Sequence, residues 1–310
     1  MEWDKTVVYS IDTFRKIDEI FKTPDNCVVI CCKTYGLILM HTFNENTPDE
    51  DEMVFHNPCI RKSWSIPPCP YMTWTHRLGF APSTNDYKVV AFVFDNSSIV
   101  VYSSNANLWR IKDRSDAHVR GLLSFKDGDD LYCKDALYWL GLEEDKPPGV
   151  HNHLVSFDFD SEEFIFVDLP DALKQPGLVK INFVLGESVA IFAMSSHSAC
   201  IWVLVEDGVD KIKSWRLWYT GDSNSKAHRF LTRSYRTDIF NVEKNTFILS
   251  FKGYMFSYNF RSHRIQHLED DYYDYFGIYM ESLVLHKRNQ RKILTYHDED
   301  GEERTKLVRV

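Results

Sequence analysis

The chain has 310 residues, 44% of them hydrophobic and 15% aromatic, which suits a large buried core and excludes wholesale disorder. A formal charge of −9 argues against a phosphate-binding surface, since non-specific nucleic-acid affinity comes mainly from Lys and Arg set against phosphates. No apolar run nears the roughly 18 residues that cross a bilayer, and Met1-Glu2-Trp3-Asp4-Lys5 lacks the regions of a secretory signal, so nucleic acid and membrane are not expected partners.

A soluble protein of the cytoplasm or nucleus is expected. Its seven cysteines lie scattered at 27, 31, 32, 59, 69, 133 and 200, not in C-x-x-C pairs. That pattern predicts reduced, mostly buried thiols in place of a disulfide framework or a zinc site.

In chain order, TVVYSI (6–11) and FRKIDEI (14–20) come first. CVVICCKTY and GLILMHT then meet at Tyr35-Gly36, where glycine supplies the backbone freedom of a tight turn. The acidic run Glu45 to Glu52 predicts a solvated hairpin tip, and VFHNP with KSWSIP completes a unit. The same four steps recur as LGFAP, DYKVVAFVF, SIVVYSS and NLWRIKD, then as LLSFKDGDDLYC, ALYWLGL, HLVSFDFD and EEFIFVDLP. INFVLG, SVAIFAMS, CIWVLVED and SWRLWYT make the next unit, followed by DIFNVEK, TFILSF, YMFSYNF and HRIQHLE. ESLVLHK and KILTYHD read as inner strands without partners, ahead of a polar end, DEDGEERTKLVRV.

Each run is rich in β-branched and aromatic residues and is bounded by residues that favour turns, which is how an all-β chain is written. Phe14, Trp64, Trp109, Phe164, Trp215 and Ile265 recur about 50 residues apart, the spacing of four-stranded propeller blades. Because an open ring leaves strand edges unpaired, the expectation is a single domain, 1–310, of about six four-stranded blades. The last blade is expected to close by pairing N-terminal strands near 6–20 with C-terminal strands near 277–300. The recurring aromatics are expected to pack between adjacent blades.

On NPCIRKSWSIP, LGFAPSTNDYKVV, VVYSSNANLWR, ALYWL with VSFDFDSEEF, IWVLVEDGVDKIKSWRLWY and ESLVLHK, the chain resembles the plant F-box associated domain. This is the kelch-like region that follows the F-box in many plant proteins, including S-locus F-box proteins. The resemblance implies a substrate-recognition domain of SCF-type ubiquitin ligases, with a protein as partner. Nothing ahead of Thr6 resembles the family's helical F-box, so direct binding to the ligase adaptor is not expected. Lys134-Asp135-Ala136 stands where the family usually has Asn-Gly-Ala, although Asp also tolerates a left-handed turn.

Residues that could carry chemistry have duller readings. His151 and His153, alternate residues able to share a strand face, are the best metal candidates, but they adjoin Pro147-Pro148-Gly149 and are read as a solvated loop. Asp158 and Asp160 are read as turn formers, Cys31-Cys32 as inert core, and Lys287, Arg288, Arg291 and Lys292 as the cap of an exposed hairpin. There is no G-x-S-x-G, no P-loop and no dinucleotide fingerprint, so no catalytic residue and no cofactor are assigned. Tyr272, Tyr273, Tyr275 and Phe276, set among aspartates, are the partner-binding candidates. A protein-binding module is expected; the alternative is a kelch-like enzyme using the central cavity.

Overall fold

The structure, a computed structural model, describes residues 6–9, 16–21, 27–34, 36–42, 52–57, 60, 62–93, 99–112, 131–142, 151–207, 212–223, 237–243, 245–251, 254–269, 291–297 and 303–309. It begins with an antiparallel pair, β1 (Thr6–Tyr9) and β2 (Lys16–Phe21). Five four-stranded antiparallel meanders follow as the blades of a propeller. Blade 1 is β3 (Cys27–Thr34), β4 (Leu37–Thr42), β5 (Glu52–Asn57) and β6 (Lys62–Ile66). Blade 2 is β7 (Thr73–Ala81), β8 (Asp86–Val93), β9 (Ile99–Ser103) and β10 (Leu108–Lys112).

Blade 3 is β11 (Leu131–Cys133), β12 (Ala136–Leu142), β13 (His151–Asp158) and β14 (Phe164–Asp168). Blade 4 is β15 (Val179–Leu185), β16 (Ser188–Met194), β17 (Ser198–Asp207) and β18 (Ile212–Asp222). Blade 5 is β19 (Thr237–Glu243), β20 (Thr246–Phe251), β21 (Tyr254–Asn259) and β22 (Arg264–Glu269). The first strand of each blade is the inner one, and β3 lies beside β7, β11 beside β15, and β15 beside β19.

Why these runs stack as blades is visible in the second strands, which bury both faces as a central strand must. In β8, Tyr87 and Val89 join Leu37, Leu39, Met53 and Phe55 of blade 1. The alternate residues Val90 and Phe92 join Trp139, Val155 and Phe157 of blade 3. Two more clusters repeat the arrangement, Tyr138 and Leu154 with Ile191 and Leu204 between blades 3 and 4, and Phe183 and Phe192 with Phe247 and Tyr258 between blades 4 and 5. Trp109, Phe164, Trp215 and Ile265 are partly buried against these cores, as expected.

Trp64 departs from the repeat. It pairs with Phe55, which faces blade 2, whereas Trp109 pairs with Tyr102, which faces blade 1. Both tryptophans therefore enter the same cluster, from opposite sides.

The tight turns have a positional rule. Gly36, Asn85, Asp135 and Asn245, with φ of 74°, 49°, 62° and 67°, immediately precede the second strand of their blades. Asn107, Glu162 and His263, with φ of 55°, 57° and 56°, each stand two residues before Trp109, Phe164 or Ile265. Lys134 and Asp135, in place of the family's Asn-Gly, both adopt the left-handed conformation, at 46° and 62°.

The terminal strands correct the expected count. Among the described residues five four-stranded blades are present where the spacing predicted six, and β23 (Arg291–His297) pairs with β24 (Glu303–Arg309), a segment read as a polar tail. No ladder among the described residues joins β1 or β2 to β23 or β24. A hairpin across 298–302 closes a far shorter loop than pairing with the other terminus, which favours the local partner entropically.

Candidate functional site

The antiparallel meander sorts the connections between two ends. First-to-second and third-to-fourth turns emerge at one end and are all short, 134–135 and 159–163 being typical. Second-to-third connections and links between blades leave at the other end. There the four longest are 113–130, 169–178, 223–236 and 270–290. The acidic run 45–51, between β4 and β5, lies outside the described residues. Glu52 itself begins β5, where its carboxylate accepts a hydrogen bond from the Ser65 hydroxyl. The partner candidates Tyr272, Tyr273, Tyr275 and Phe276 lie outside the described residues, between β22 and β23 in sequence.

At the short-turn end, blades 2 and 3 are locked by a buried ionic network. Lys88 Nζ lies 2.8 Å from Glu162 Oε1 and donates to the Phe159 carbonyl at 2.6 Å. Arg110 donates to the other oxygen of the same carboxylate, and Lys112 to the Glu162 carbonyl. Burial alone would raise the pKa of Glu162, but hydrogen bonds and attraction from Lys88 and Arg110 outweigh it and hold the group below its usual value. Ser83 donates to Asp160 Oδ1 through its backbone N–H (3.1 Å) and its hydroxyl (2.7 Å). The ring of Phe159 lies so close to Gly79 that a Cβ there would sit 2.1 Å from it.

The outer-strand tryptophans add a repeated bond. Trp109 Nε1 donates to the Pro67 carbonyl and Trp215 Nε1 to the Asp168 carbonyl, each at 2.8 Å and each reaching the preceding blade. Of the Asp pair, Asp158 does the turn chemistry expected of both. Asp158 Oδ1 accepts from the Ser161 backbone (2.7 Å) and hydroxyl (3.0 Å), while Asp160 reaches blade 2.

The histidine pair is neither a loop nor a shared metal face. Both residues are in β13, and a bulge shifts its register so that Gly141 pairs with His153 but Leu142 pairs with His151. Consecutive residues Gly141 and Leu142 face opposite ways, so the two imidazoles do too. His153 Nε2 lies 2.9 Å from Asp168 Oδ1. His151 is pushed down to about 4, first by burial and then by the charge of Lys180. Burial likewise lowers Lys180 to about 8. Among the described residues, no group of three or more His, Cys, Asp or Glu is arranged to hold a metal.

Of the other candidates, Arg291 and Lys292 open β23, and Lys287 and Arg288 lie outside the described residues. Cys31 and Cys32 are in β3, their side chains outside the described set. Burial raises the thiol pKa of Cys69, Cys133 and Cys200, which makes them poor nucleophiles. No helix among the described residues is long and apolar enough to cross a membrane.

The rim between blades 4 and 5 is built differently. A bulge in β18 lets Trp202 pair with Leu217 and Ile201 with Tyr219, leaving Trp218 as the extra residue. Trp218 is 48% exposed, and its ring lies 6.2 Å from that of Phe260 in an edge-to-face arrangement. Tyr219 donates to the Phe260 carbonyl (3.2 Å) and lies 5.6 Å beneath the Arg261 guanidinium, which in turn donates through Nε to Asn245 Oδ1 (2.8 Å). Sequence reasoning missed both this rim and the Lys88 lock. The signals were a lysine inside the apolar run DYKVVAFV and an Arg directly after each of Trp109 and Trp215.

Side-by-side four-stranded meanders with apolar cores between them define a β-propeller. The chain belongs to the F-box associated beta propeller domain family, whose model matches residues 6–298. It is 26% identical over 215 residues to the probable F-box protein At5g47300 of Arabidopsis thaliana, covering 67% of this chain and 48% of that protein. It is 28% identical over 134 residues to the F-box protein At2g07140 and to the F-box/kelch-repeat protein At3g44120 of the same plant, covering 42% of this chain and 34% of each. The matched region thus spans less than half the length of these relatives. Among solved structures, oligogalacturonate lyase from Vibrio parahaemolyticus aligns over 86% of this chain and 85% of its own at 8% identity, with a TM-score of 0.40.

Proposed function

We propose that this domain is a protein-binding module, the substrate-recognition part of an SCF-type ubiquitin ligase system, and that it holds its partner at the end of the propeller where the long connections emerge. The observation that carries this reading is the segregation of connections. One end has connections of two to five residues, of which 159–163 is locked to blade 2, while 113–130, 223–236 and 270–290 all leave from the other. Loops on a rigid scaffold are where specificity is built, because they vary without disturbing the core. Membership of the F-box associated family supports the same reading.

In this proposal the propeller acts inside the cell, in cytoplasm or nucleus, and Tyr272, Tyr273, Tyr275 and Phe276 contribute aromatic contacts to the partner. Closure of the ring belongs to the proposal as well. The test is capture of proteins from plant extract by the immobilised domain. Replacing 270–276 or 113–130 by a Gly-Ser linker should abolish capture of a specific partner while leaving the melting temperature within a few degrees. Capture that survives every long-connection replacement would place the partner elsewhere.

A further inference from the structure

We propose that the outer rim between blades 4 and 5 docks an acidic, extended segment of a partner protein, with Arg216 and Arg261 taking its carboxylates and Trp218 an apolar side chain. The inference begins with a repeated position. Arg110 directly follows Trp109, and Arg216 directly follows Trp215. In blade 2 the arginine meets Glu162 of the next blade, a left-handed turn residue two before the outer-strand Phe164. In blade 5 that place is held by His263, likewise left-handed and two before Ile265. The fourth-blade arginine thus has the setting of Arg110 without its acid.

Side-chain directions follow from the ladder. Arg216 pairs with Val203 and Tyr219 with Ile201, and both partners belong to the core cluster shared with blade 5. Arg216, Tyr219 and the bulged Trp218 therefore stand on the blade 5 side of β18. From blade 5, Arg261 stacks on Tyr219, and Ile265 and His267 face back, paired with Tyr258 and Phe256. No carboxylate stands among these described residues, in a chain with 45 acidic residues against 36 Lys and Arg. Arg216 is exposed and makes no ion pair among the described residues. The Nε–Oδ1 bond to Asn245 uses only one of the five donors of Arg261.

An extended occupant suits the backbone. β18 is the last strand in the order β15-β16-β17-β18, so a peptide strand could lie along its outer edge. Alternating side chains of such a strand would bring every second one to this side, an acid against Arg216 and an apolar group against Trp218. Commitment to an acidic polypeptide over a nucleic acid rests on the net charge of −9, which repels long polyanions but is screened beyond about 8 Å at physiological salt. The surface is on the rim, away from the long connections, so loop replacements that abolish the proposed partner capture leave this binding intact.

The test is fluorescence anisotropy with a labelled ten-residue peptide of alternating Glu and Leu, its Lys-Leu counterpart and a single-stranded oligonucleotide, at about 0.15 M salt. The Glu-Leu peptide should bind the domain, and binding should weaken at least ten-fold in Arg216→Glu/Arg261→Glu and measurably in Trp218→Ala. Lys62→Glu, an exposed cation of blade 1, should leave it unchanged. Circular dichroism melts confirm that the variants fold, and Arg216→Lys, which keeps the charge, should retain part of the affinity that Arg216→Glu loses. Equal binding of the Lys-Leu peptide, preference for the oligonucleotide, no binding of the Glu-Leu peptide, or full binding by the double variant overturns the proposal.

Discussion

The contact between blades 2 and 3 and the contact between blades 4 and 5 are two versions of one joint. Both place an arginine after an outer-strand tryptophan and a left-handed turn residue opposite it. In the first, Arg110, Lys88 and Glu162 form a closed ionic lock, and Phe159 fills the space left by the missing side chain of Gly79. In the second, Phe260 packs on Phe247 and Tyr219, and the arginine stays outside. A repeat therefore fixes where a charge stands, and the residue on the next blade decides whether it holds the fold together or faces a partner.

Breaking the lock should show the largest effect. Glu162→Ala leaves Lys88, whose side chain is 8% exposed, as a buried cation without its carboxylate, and should cost about 3–5 kcal/mol in urea unfolding. Gly79→Ala forces a methyl into the Phe159 ring and should cost about 3 kcal/mol, partly relieved by Phe159→Leu in the same chain. Rescue by the smaller side chain would separate overpacking from loss of backbone freedom.

Acid sharpens the comparison with the joint between blades 3 and 4. His151 is neutral when folded, at about 4 against 6.5 unfolded, so the unfolded state takes up the proton first and stability falls as pH drops from 6.5 towards 4. His151→Phe should flatten that stretch of the melting-temperature profile, by at most about 3 kcal/mol. Glu162 acts in the same direction lower down. Its folded value lies below the unfolded one, so its contribution is present above the unfolded value and is lost as pH falls through the folded one. Further down in size, Trp215→Phe removes the bond to the Asp168 carbonyl and should cost about 1–2 kcal/mol. Arg216→Ala should change stability by less than about 0.5 kcal/mol, where Arg110→Ala changes it by more.

Much of the fold was legible because its signal is local. All twenty strands of the five blades overlap the runs read from alternation and turn residues, although β7 and β13 begin ahead of theirs, and Lys134-Asp135 turned as expected of a site that needs left-handed backbone. Pairing between distant segments was not legible in this way. The terminal strands choose local hairpin partners, which no periodicity distinguishes from partners at the other end of the chain. A single extra residue in β13 turned His151 away from His153, and a one-residue offset put Trp64 on the other face of its blade from Trp109. The Lys88 lock spans two blades, so its members sit in unrelated motifs and meet only when the sheets stack. The aromatic candidates at 272–276 belong to a connection that no repeat constrains.

The proposed recognition end is tested most directly by hydrogen–deuterium exchange of the domain with and without a captured partner. Protection confined to peptides from 113–130, 223–236 and 270–290, with the turns 82–85 and 159–163 unchanged, is the predicted result. Protection centred on those short turns, with the long connections exchanging as in the free domain, would contradict it.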